Sequence, residues 1–140
     1  MKILSKIVSF FSKRIIILED QYAPRIAKKI LKKNNALRFP IQENIKDPLE
    51  YVDFIRESDI ILLDNYFPGK TWEEAKGDEF LKKLLKTEKN YKIICISDRG
   101  ERLCEWYDGW KTAHEKGWIL GWCKNKDGDE IYDFLESIKR

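Results

Sequence analysis

The chain alternates between short, uninterrupted apolar runs and longer segments in which apolar residues recur at helical spacing. The apolar runs predict strands over residues 15–18, 59–64, 91–97 and 118–123, with a weaker strand over residues 37–41. The segments with helical spacing predict helices over residues 24–33, 47–55, 78–87, 101–116 and 131–138. Consecutive apolar residues are typical of strands that are buried on both faces, as in parallel sheets.

The regular alternation of strand and helix predicts an α/β fold, a doubly wound five-stranded parallel sheet with helices on both faces. Parallel strands need a crossover between them, and that crossover is normally a right-handed connection through a helix. In open sheets of this kind, ligands bind beyond the carboxyl ends of the strands. The side chains that follow each strand are therefore the first candidates for a functional site.

The composition agrees with a single globular domain and excludes several other classes. The 140 residues are 43% hydrophobic and 36% charged, whereas a disordered chain has fewer large apolar residues. No apolar run approaches the roughly 18 residues of a membrane-spanning helix. The net charge of +3 is too small to indicate nucleic-acid binding.

The three cysteines, Cys95, Cys104 and Cys123, have a spacing that matches no zinc or redox motif. We therefore expect a reducing, cytoplasmic location.

Residues 1–14 differ in character from the rest and are interpreted as a basic amphipathic arm that precedes a domain over residues 15–140. The arm carries four basic residues and no acidic one. At about 100° per residue, its large apolar side chains fall within one arc of roughly 160°. We expect residues 2–13 to form a helix that packs on its own domain or on a second copy, because a helix this short is marginal alone. The alternative is binding to an anionic membrane surface or to a partner groove.

Five side chains with useful chemistry directly follow the predicted strands. They are Glu19, Asp20, Asp64, Ser97 and Lys124. Carboxylates that converge in one pocket repel one another, and a hard cation such as Mg²⁺ relieves that repulsion. A lysine and a hydroxyl suit the oxygens of a phosphoryl group, and one carboxylate can accept that group as a nucleophile. The pattern therefore predicts phosphoryl transfer that depends on Mg²⁺.

In their order and position, these residues resemble the motifs of a response-regulator receiver domain of two-component signalling, in the CheY-like superfamily. The resemblance covers residues 14–140. An acidic pair ends the first strand, and an aspartate ends the third strand and is followed by Pro68 and Gly69. A serine ends the fourth strand and a lysine ends the fifth. The resemblance implies a flavodoxin-like topology with the strand order 2-1-3-4-5.

The resemblance also implies a role for each of these residues. Asp64 would be the phosphoacceptor and one of the Mg²⁺ ligands. Asp20 would bind Mg²⁺ directly, Glu19 would bind it through water, and the backbone carbonyl of Tyr66 would complete the protein ligands. The phosphoryl group itself would be contacted by Ser97 and Lys124.

A receiver of this kind is a switch rather than an enzyme, apart from its own phosphorylation from a donor and its own dephosphorylation. We expect a stand-alone response-regulator receiver that takes its phosphoryl group from a histidine kinase or a histidine phosphotransfer protein. Phosphorylation would then switch a protein-interaction surface toward a downstream partner that the sequence does not identify.

Three positions depart from the family pattern. Asp98 follows the serine where a small residue is usual, Gly121 stands where an aromatic residue is usual, with Trp122 next to it, and Asn125 replaces a proline after the lysine. Asp98 and Trp122 are therefore candidate modulators of the switch. The departures also support an alternative, a degenerate receiver that acts as a phosphorylation-independent scaffold or oligomerisation module. A metal-dependent phosphatase is a weaker alternative, because Tyr66 stands where such enzymes usually carry a second aspartate.

Overall fold

The computed structural model describes residues 14–139 and shows a parallel sheet of four strands in the order β1-β2-β5-β6. These strands are β1 (Ile15–Leu18), β2 (Ile60–Leu63), β5 (Lys92–Cys95) and β6 (Ile119–Trp122). A small antiparallel pair, β3 (Phe67–Pro68) and β4 (Glu73–Glu74), follows β2. The helices are α1 (Ala23–Lys33), α2 (Lys76–Leu85), α3 (Leu103–Trp106), α4 (Asp108–Glu115) and α5 (Gly128–Lys139), with 3₁₀ segments over Pro48–Phe54 and Gly100–Arg102.

Each face of the sheet is covered by its own set of helices, as the uninterrupted apolar strands predict. Side chains alternate between the two faces along each strand, so neighbouring residues enter different clusters. Ile16 and Ile61 pack in a cluster with residues of α2, α3 and α4. Ile15 and Leu62 pack in a second cluster with residues of α1 and α5. The doubly wound α/β architecture is therefore confirmed for four strands.

The segment over residues 37–41, for which the sequence predicts a strand, does not form one. It lies beside β1, where the predicted order places it, but it contributes a single parallel bridge between Arg14 and Arg38. The backbone N–H of Ile15 donates to the Arg38 carbonyl at 2.8 Å. Pro40 has no backbone N–H, so it has no donor to extend the ladder. The five-strand order is consequently not confirmed.

The helical predictions differ from the structure mainly where the backbone must approach another element. The helix predicted over residues 101–116 is interrupted at Tyr107, whose backbone is extended with φ −134° and ψ 125°. The break lets the N–H of Gly109 donate to Asp78 Oδ1 at 2.7 Å.

The helix predicted over residues 47–55 is a 3₁₀ segment. It is capped by Asp47, whose side chain accepts from the Leu49 N–H at 3.0 Å. The other three helices lie within a few residues of their predicted bounds.

Arg14 belongs to the folded domain, although the sequence analysis placed it in the arm. Its Nε and Nη2 donate to the two carboxylate oxygens of Asp59 at 3.0 and 2.8 Å, and its guanidinium lies 4.5 Å from the centroid of the Phe54 ring. The predicted arm over residues 2–13 lies outside the described residues. None of the helices that the structure describes is both long enough and apolar enough to cross a membrane.

Candidate functional site

A cleft of about 660 Å³ opens at the carboxyl ends of the strands, where the sequence analysis places the candidate site. Its wall is built from the loops that follow β1, β2, β5 and β6 and from the first turns of α1 and α5. Of the predicted site residues and modulators, the wall contains Asp20, Asp64, Tyr66, Asp98 and Lys124. The parallel sheet thus brings together side chains that lie far apart in the sequence.

The cleft contains an ionic cluster of two buried carboxylates and one lysine. Lys126 Nζ lies 2.8 Å from Asp64 Oδ2 and 3.1 Å from Glu19 Oε1. The Glu19 side chain is fully buried and that of Asp64 is 5% exposed, whereas 21% of the Lys126 side chain is exposed. The second Glu19 oxygen accepts hydrogen bonds from the backbone N–H of Gln21, at 2.8 Å, and of Tyr22. Glu19 is therefore fixed at the end of β1 with both oxygens paired.

Burial and the shared ammonium set the pKa values in this cluster. Burial raises the pKa of Asp64 to about 6, although Lys126 and the Asn65 N–H act in the opposite direction. Burial also raises the pKa of Asp20 to about 6, and the neighbouring Glu19 carboxylate adds to that shift. For Glu19, burial opposes ionisation, but the backbone N–H groups and Lys126 together outweigh it and lower the pKa. For Lys126, burial opposes the charge, but Asp64 and Glu19 raise the pKa above its usual value, so the ammonium is charged at neutral pH.

The acidic residues of the cleft form a donor set that suits a divalent cation. Glu19, Asp20 and Asp64 each offer a carboxylate oxygen, and these oxygens lie within 4.8 Å of one another. Mg²⁺ prefers oxygen ligands and accepts a small number of protein carboxylates together with water. The donor set therefore fits the cation that the sequence predicts, and Asp20 is the donor with the most access to solvent.

The remaining predicted residues follow β5 and β6. Ser97 is buried, and its hydroxyl accepts a hydrogen bond from the Arg99 N–H at 3.3 Å. Lys124 is exposed, and its aliphatic stem lies against Gly100, where a Cβ would come within 2.3 Å of the lysine Cε. No carboxylate in the described part of the chain makes an ion pair with the Lys124 ammonium. The Asp98 side chain is 75% exposed.

Tyr66 and Trp122 lie on the α4 side of the molecule. The Tyr66 hydroxyl is 3.0 Å from the Tyr107 hydroxyl, and the two rings meet edge to face. The Trp122 ring centroid is 6.3 Å from that of Trp110 and 5.8 Å from that of His114. These contacts connect the rim of the cleft with the surface of α4.

Lys126 is the site residue that the sequence analysis missed. It lies two residues beyond Lys124, after the turn that ends β6, and its φ of 51° is uncommon for a residue other than Gly, Asn or Asp. Lys126 has this left-handed backbone at the end of the turn, and its ammonium reaches the acidic cluster. No periodicity or motif marks Lys126, and the turn-forming residues Asn125 and Gly128 around it are the only signal in the sequence.

Comparison with solved structures gives an independent view of this architecture. The chain is similar to a structure described as a response regulator receiver domain (CheY-like) from Methylobacillus flagellatus, with 19% sequence identity and a TM-score of 0.56. The similarity covers 90% of this chain and 98% of that chain. This chain has the receiver-domain fold. Comparisons with protein-family models and with curated proteins found no match.

The receiver fold confirms the resemblance that the ordered strand-end motifs predicted. At 19% identity the similarity concerns the course of the backbone. The roles of Asp64, Lys126 and their neighbours in this receiver fold are therefore argued from their own geometry and chemistry.

Proposed function

We propose that this protein is a receiver that accepts a phosphoryl group on Asp64 and uses the change in charge to alter a protein-binding surface. The observation that supports this most strongly is the place of Asp64, at the end of β2 in the cleft, with Glu19, Asp20 and Lys126 around it. An acid that served only solubility would face water, whereas Asp64 is almost fully buried beside a second buried acid. Such arrangements cost stability and concentrate at functional sites.

The carboxylates of Glu19, Asp20 and Asp64 would hold Mg²⁺ in this receiver, with the Tyr66 backbone carbonyl as a further proposed ligand. When bound, Mg²⁺ supplies positive charge that offsets the charge on the incoming phosphoryl oxygens. Asp20 is the accessible ligand, and Glu19 is held in place by its backbone hydrogen bonds. The protein thus contributes a rigid buried acid and a more exposed one.

In the transfer, a carboxylate oxygen of Asp64 forms the new bond to phosphorus. The bond between phosphorus and the donor atom breaks, and its electron pair leaves on the donor. The ammonium of Lys126, which lies 2.8 Å from Asp64 Oδ2, is placed to pair with the transferred group. Lys124 at the cleft wall and the Ser97 hydroxyl are proposed as further contacts to the phosphoryl oxygens.

The proposed donor is a histidine kinase or a histidine phosphotransfer protein, and the receiver acts as a switch rather than as an enzyme on other substrates. Asp98 is exposed on the wall of the cleft. Its negative charge would repel an approaching phosphoryl group, so we assign it the role of slowing phosphorylation.

One observation favours a second candidate function, a scaffold that works without phosphorylation. Lys126 pairs with both Glu19 and Asp64 in the cleft, so one positive charge already offsets part of the negative charge of the cluster. A cluster that is already satisfied can serve as a structural element. Partner binding by such a scaffold would be indifferent to Mg²⁺ and to phosphodonors.

Fluoroberyllate, which mimics a phosphoryl group on a carboxylate, separates these two functions. Fluorine NMR of the full chain should show a bound signal that requires Mg²⁺. The signal should disappear in Asp64→Asn and persist in the control Asp98→Asn, which removes a nearby charge from the same cleft. A wild-type chain without a bound signal, or an Asp64→Asn variant that keeps it, would contradict the phosphoacceptor function and favour the scaffold.

A further inference from the structure

Asn65, the residue after Asp64, connects the candidate site to α2 and α4. Its backbone N–H donates to Asp64 Oδ1 at 2.8 Å. Its side-chain Oδ1 accepts two hydrogen bonds, from the backbone N–H of Asp78 at 3.0 Å and from the indole N–H of Trp110 at 2.8 Å. Asp64, Asn65, Asp78 and Trp110 are all buried. Hydrogen bonds in the core interact more strongly than those at the surface, so these four residues form one linked unit.

Two glycines let the backbones around this network approach closely. A Cβ at Gly77 would lie 2.2 Å from the carbonyl oxygen of Asp64, and a Cβ at Gly109 would lie 2.4 Å from Asp78 Oδ1. The Gly77 N–H donates to the Asn65 carbonyl at 2.9 Å, and the Gly109 N–H donates to Asp78 Oδ1 at 2.7 Å. Because the atoms are packed this closely, a displacement of Asp64 or Asn65 would also displace the backbone of α2 and, through Asp78, that of α4.

One polar group in the network is unsatisfied. The Nδ2 atom of Asn65 is buried and has no hydrogen-bond partner among the residues that the structure describes. An unpaired buried donor is costly, so a movement of the amide that gives Nδ2 an acceptor would offset part of the cost of losing the two hydrogen bonds at Oδ1. The Asn65 side chain is therefore the element of the network that is best suited to change position.

Trp110 carries the network toward the surface of α4 and β6. Its ring packs against Trp122, which in turn packs against the exposed His114. Position 121 on β6 has no side chain, and the ring of Phe134 fills that space, because a Cβ there would lie 2.3 Å from the Phe134 Cζ. The hydrogen bond between Asn65 and Trp110 therefore connects Asp64, through Trp110 and Trp122, with the exposed His114 on α4.

We propose that Asn65 is a positioning residue that orients the Asp64 carboxylate and couples its charge to the surface of α4 and β6 through the Trp110 indole. This inference rests on the proposed function of Asp64. When Asp64 Oδ1 gains a cation or a phosphoryl neighbour, its hydrogen bond to the Asn65 N–H weakens, because the oxygen shares its charge with the new partner. Asn65 then changes its contacts to Asp78 and Trp110, and the indole reports the change.

The test is proton–nitrogen NMR of the indole N–H groups in the full chain, with Mg²⁺ and fluoroberyllate as the probes. Trp118 is an internal control, because it is also buried and its indole N–H also donates to an asparagine oxygen, that of Asn90 at 3.3 Å. Trp118 precedes β6, at the end of the sheet opposite the cleft. We expect the Trp110 indole signal to shift on saturation and the Trp118 signal to remain in place.

The outcomes of this experiment separate the inference from the proposed function. Bound fluoroberyllate, seen by fluorine NMR, with an unmoved Trp110 signal would overturn the role of Asn65 and leave Asp64 as the phosphoacceptor. No bound fluoroberyllate would overturn both proposals. Because this measurement uses the wild-type chain, it does not depend on whether any variant folds.

A matched pair of variants tests the same coupling in the reverse direction. Trp110→Phe keeps an aromatic ring but removes part of the buried ring volume together with the N–H that donates to Asn65, and Trp118→Phe makes the same change at the control position. Coupling is reciprocal, so Trp110→Phe should change the affinity for fluoroberyllate by about 5-fold or more, whereas Trp118→Phe should change it by about 2-fold or less. Equal effects of the two substitutions would show that Trp110 acts only through general stability and would overturn the inference.

Discussion

The ammonium of Lys126 lies 2.8 Å from Oδ2 of Asp64, and the same ammonium lies 3.1 Å from Glu19. This lysine comes from a left-handed turn after β6, and the two acids come from the ends of β2 and β1. The cleft is therefore held together by one cation shared between two strand ends. Removing that cation should lower the free energy of unfolding and weaken phosphoryl acceptance, but it should strengthen metal binding.

We expect Lys126→Gln to lower the free energy of unfolding by about 2 kcal/mol, because it leaves two buried carboxylates without their partner. The cost is less than for a fully buried pair, since 21% of the Lys126 side chain is exposed. Mg²⁺ should bind more tightly, because a nearby positive charge is gone, whereas fluoroberyllate should bind more weakly. Denaturant unfolding and titration calorimetry measure the three effects.

Lys124→Gln is the control for this prediction, since it removes an exposed ammonium from the same cleft. Its effect on unfolding should be within about 0.5 kcal/mol. If Lys124→Gln reduced fluoroberyllate binding more than Lys126→Gln, the phosphoryl partner would be Lys124 and the assignment of Lys126 would be wrong.

At Gly77 the backbone of α2 lies directly against the end of β2. Gly77→Ala would place a Cβ 2.2 Å from the Asp64 carbonyl and 2.7 Å from the Asn65 Cα, so the strand end must move. We expect a loss of about 2 kcal/mol in unfolding free energy together with weaker Mg²⁺ binding.

Gly117→Ala serves as the comparison for Gly77→Ala. Gly117 has a φ of +77°, and no heavy atom lies within 4 Å of the place that an alanine Cβ would occupy. The substitution therefore brings backbone strain of about 1 kcal/mol without a clash. Mg²⁺ binding should be unchanged in Gly117→Ala. Wild-type Mg²⁺ affinity in Gly77→Ala would contradict the tight packing of α2 on the site.

Arg14 and Asp59 form the most deeply buried ion pair of the described chain, with side-chain exposures of 11% and 0%. Arg14→Met should cost about 3 kcal/mol in unfolding free energy, because the buried Asp59 would lose its counter-ion and keep only the hydrogen bond from the Arg56 N–H. Arg25→Met, at an exposed arginine of α1, is the control and should change stability by about 0.5 kcal/mol or less. Similar thermal unfolding of the two variants would argue against a structural role for Arg14.

The cysteines should differ in their reactivity at alkaline pH. Burial raises the pKa of Cys95 to about 12 and that of Cys123 to about 11, so both remain protonated thiols at pH 8. Cys104 is partly exposed and should be the first to react with iodoacetamide in the native chain. Peptide mapping of the alkylated protein identifies the order, and early labelling of Cys95 would contradict its burial.

The same two thiols predict how stability depends on pH. In the unfolded chain a cysteine loses its proton near pH 8.5, whereas the native thiols keep theirs. Unfolding therefore releases protons above that pH, and the free energy of unfolding should fall as the pH rises from about 8.5 toward 11. Denaturant unfolding of the reduced protein across this range measures the slope, which should decrease in Cys95→Ala after correction for its lower overall stability.

Much of the fold could be predicted from the sequence because strand burial leaves a direct trace in it. The runs at Ile15–Leu18 and Ile60–Leu63 are apolar on both faces of the sheet. Glu19 and Asp64 directly follow these runs, so they lie together at the carboxyl ends of the parallel strands. The strand predicted over residues 37–41, in contrast, has the alternating burial of a strand but lacks a donor at Pro40. Its side-chain pattern is that of a strand, although its ladder does not form.

The parts of the site that could not be predicted depend on contacts between distant residues. Lys126 reaches the acids from a left-handed turn, and a single lysine in a polar loop carries no signal of its own. The break in the predicted helix at Tyr107 likewise follows from the approach of Gly109 to Asp78, 31 residues earlier in the chain. Local patterns specify which face of an element is buried, but not which loop folds back into a cleft.

The most direct test of the central claim is mass spectrometry of the full chain after incubation with Mg²⁺ and acetyl phosphate. The account predicts an increase by the mass of one phosphoryl group, labile to base, on the peptide that contains Asp64 and absent from Asp64→Asn. An unmodified wild-type chain, or a phosphoryl group on a different residue, would contradict it.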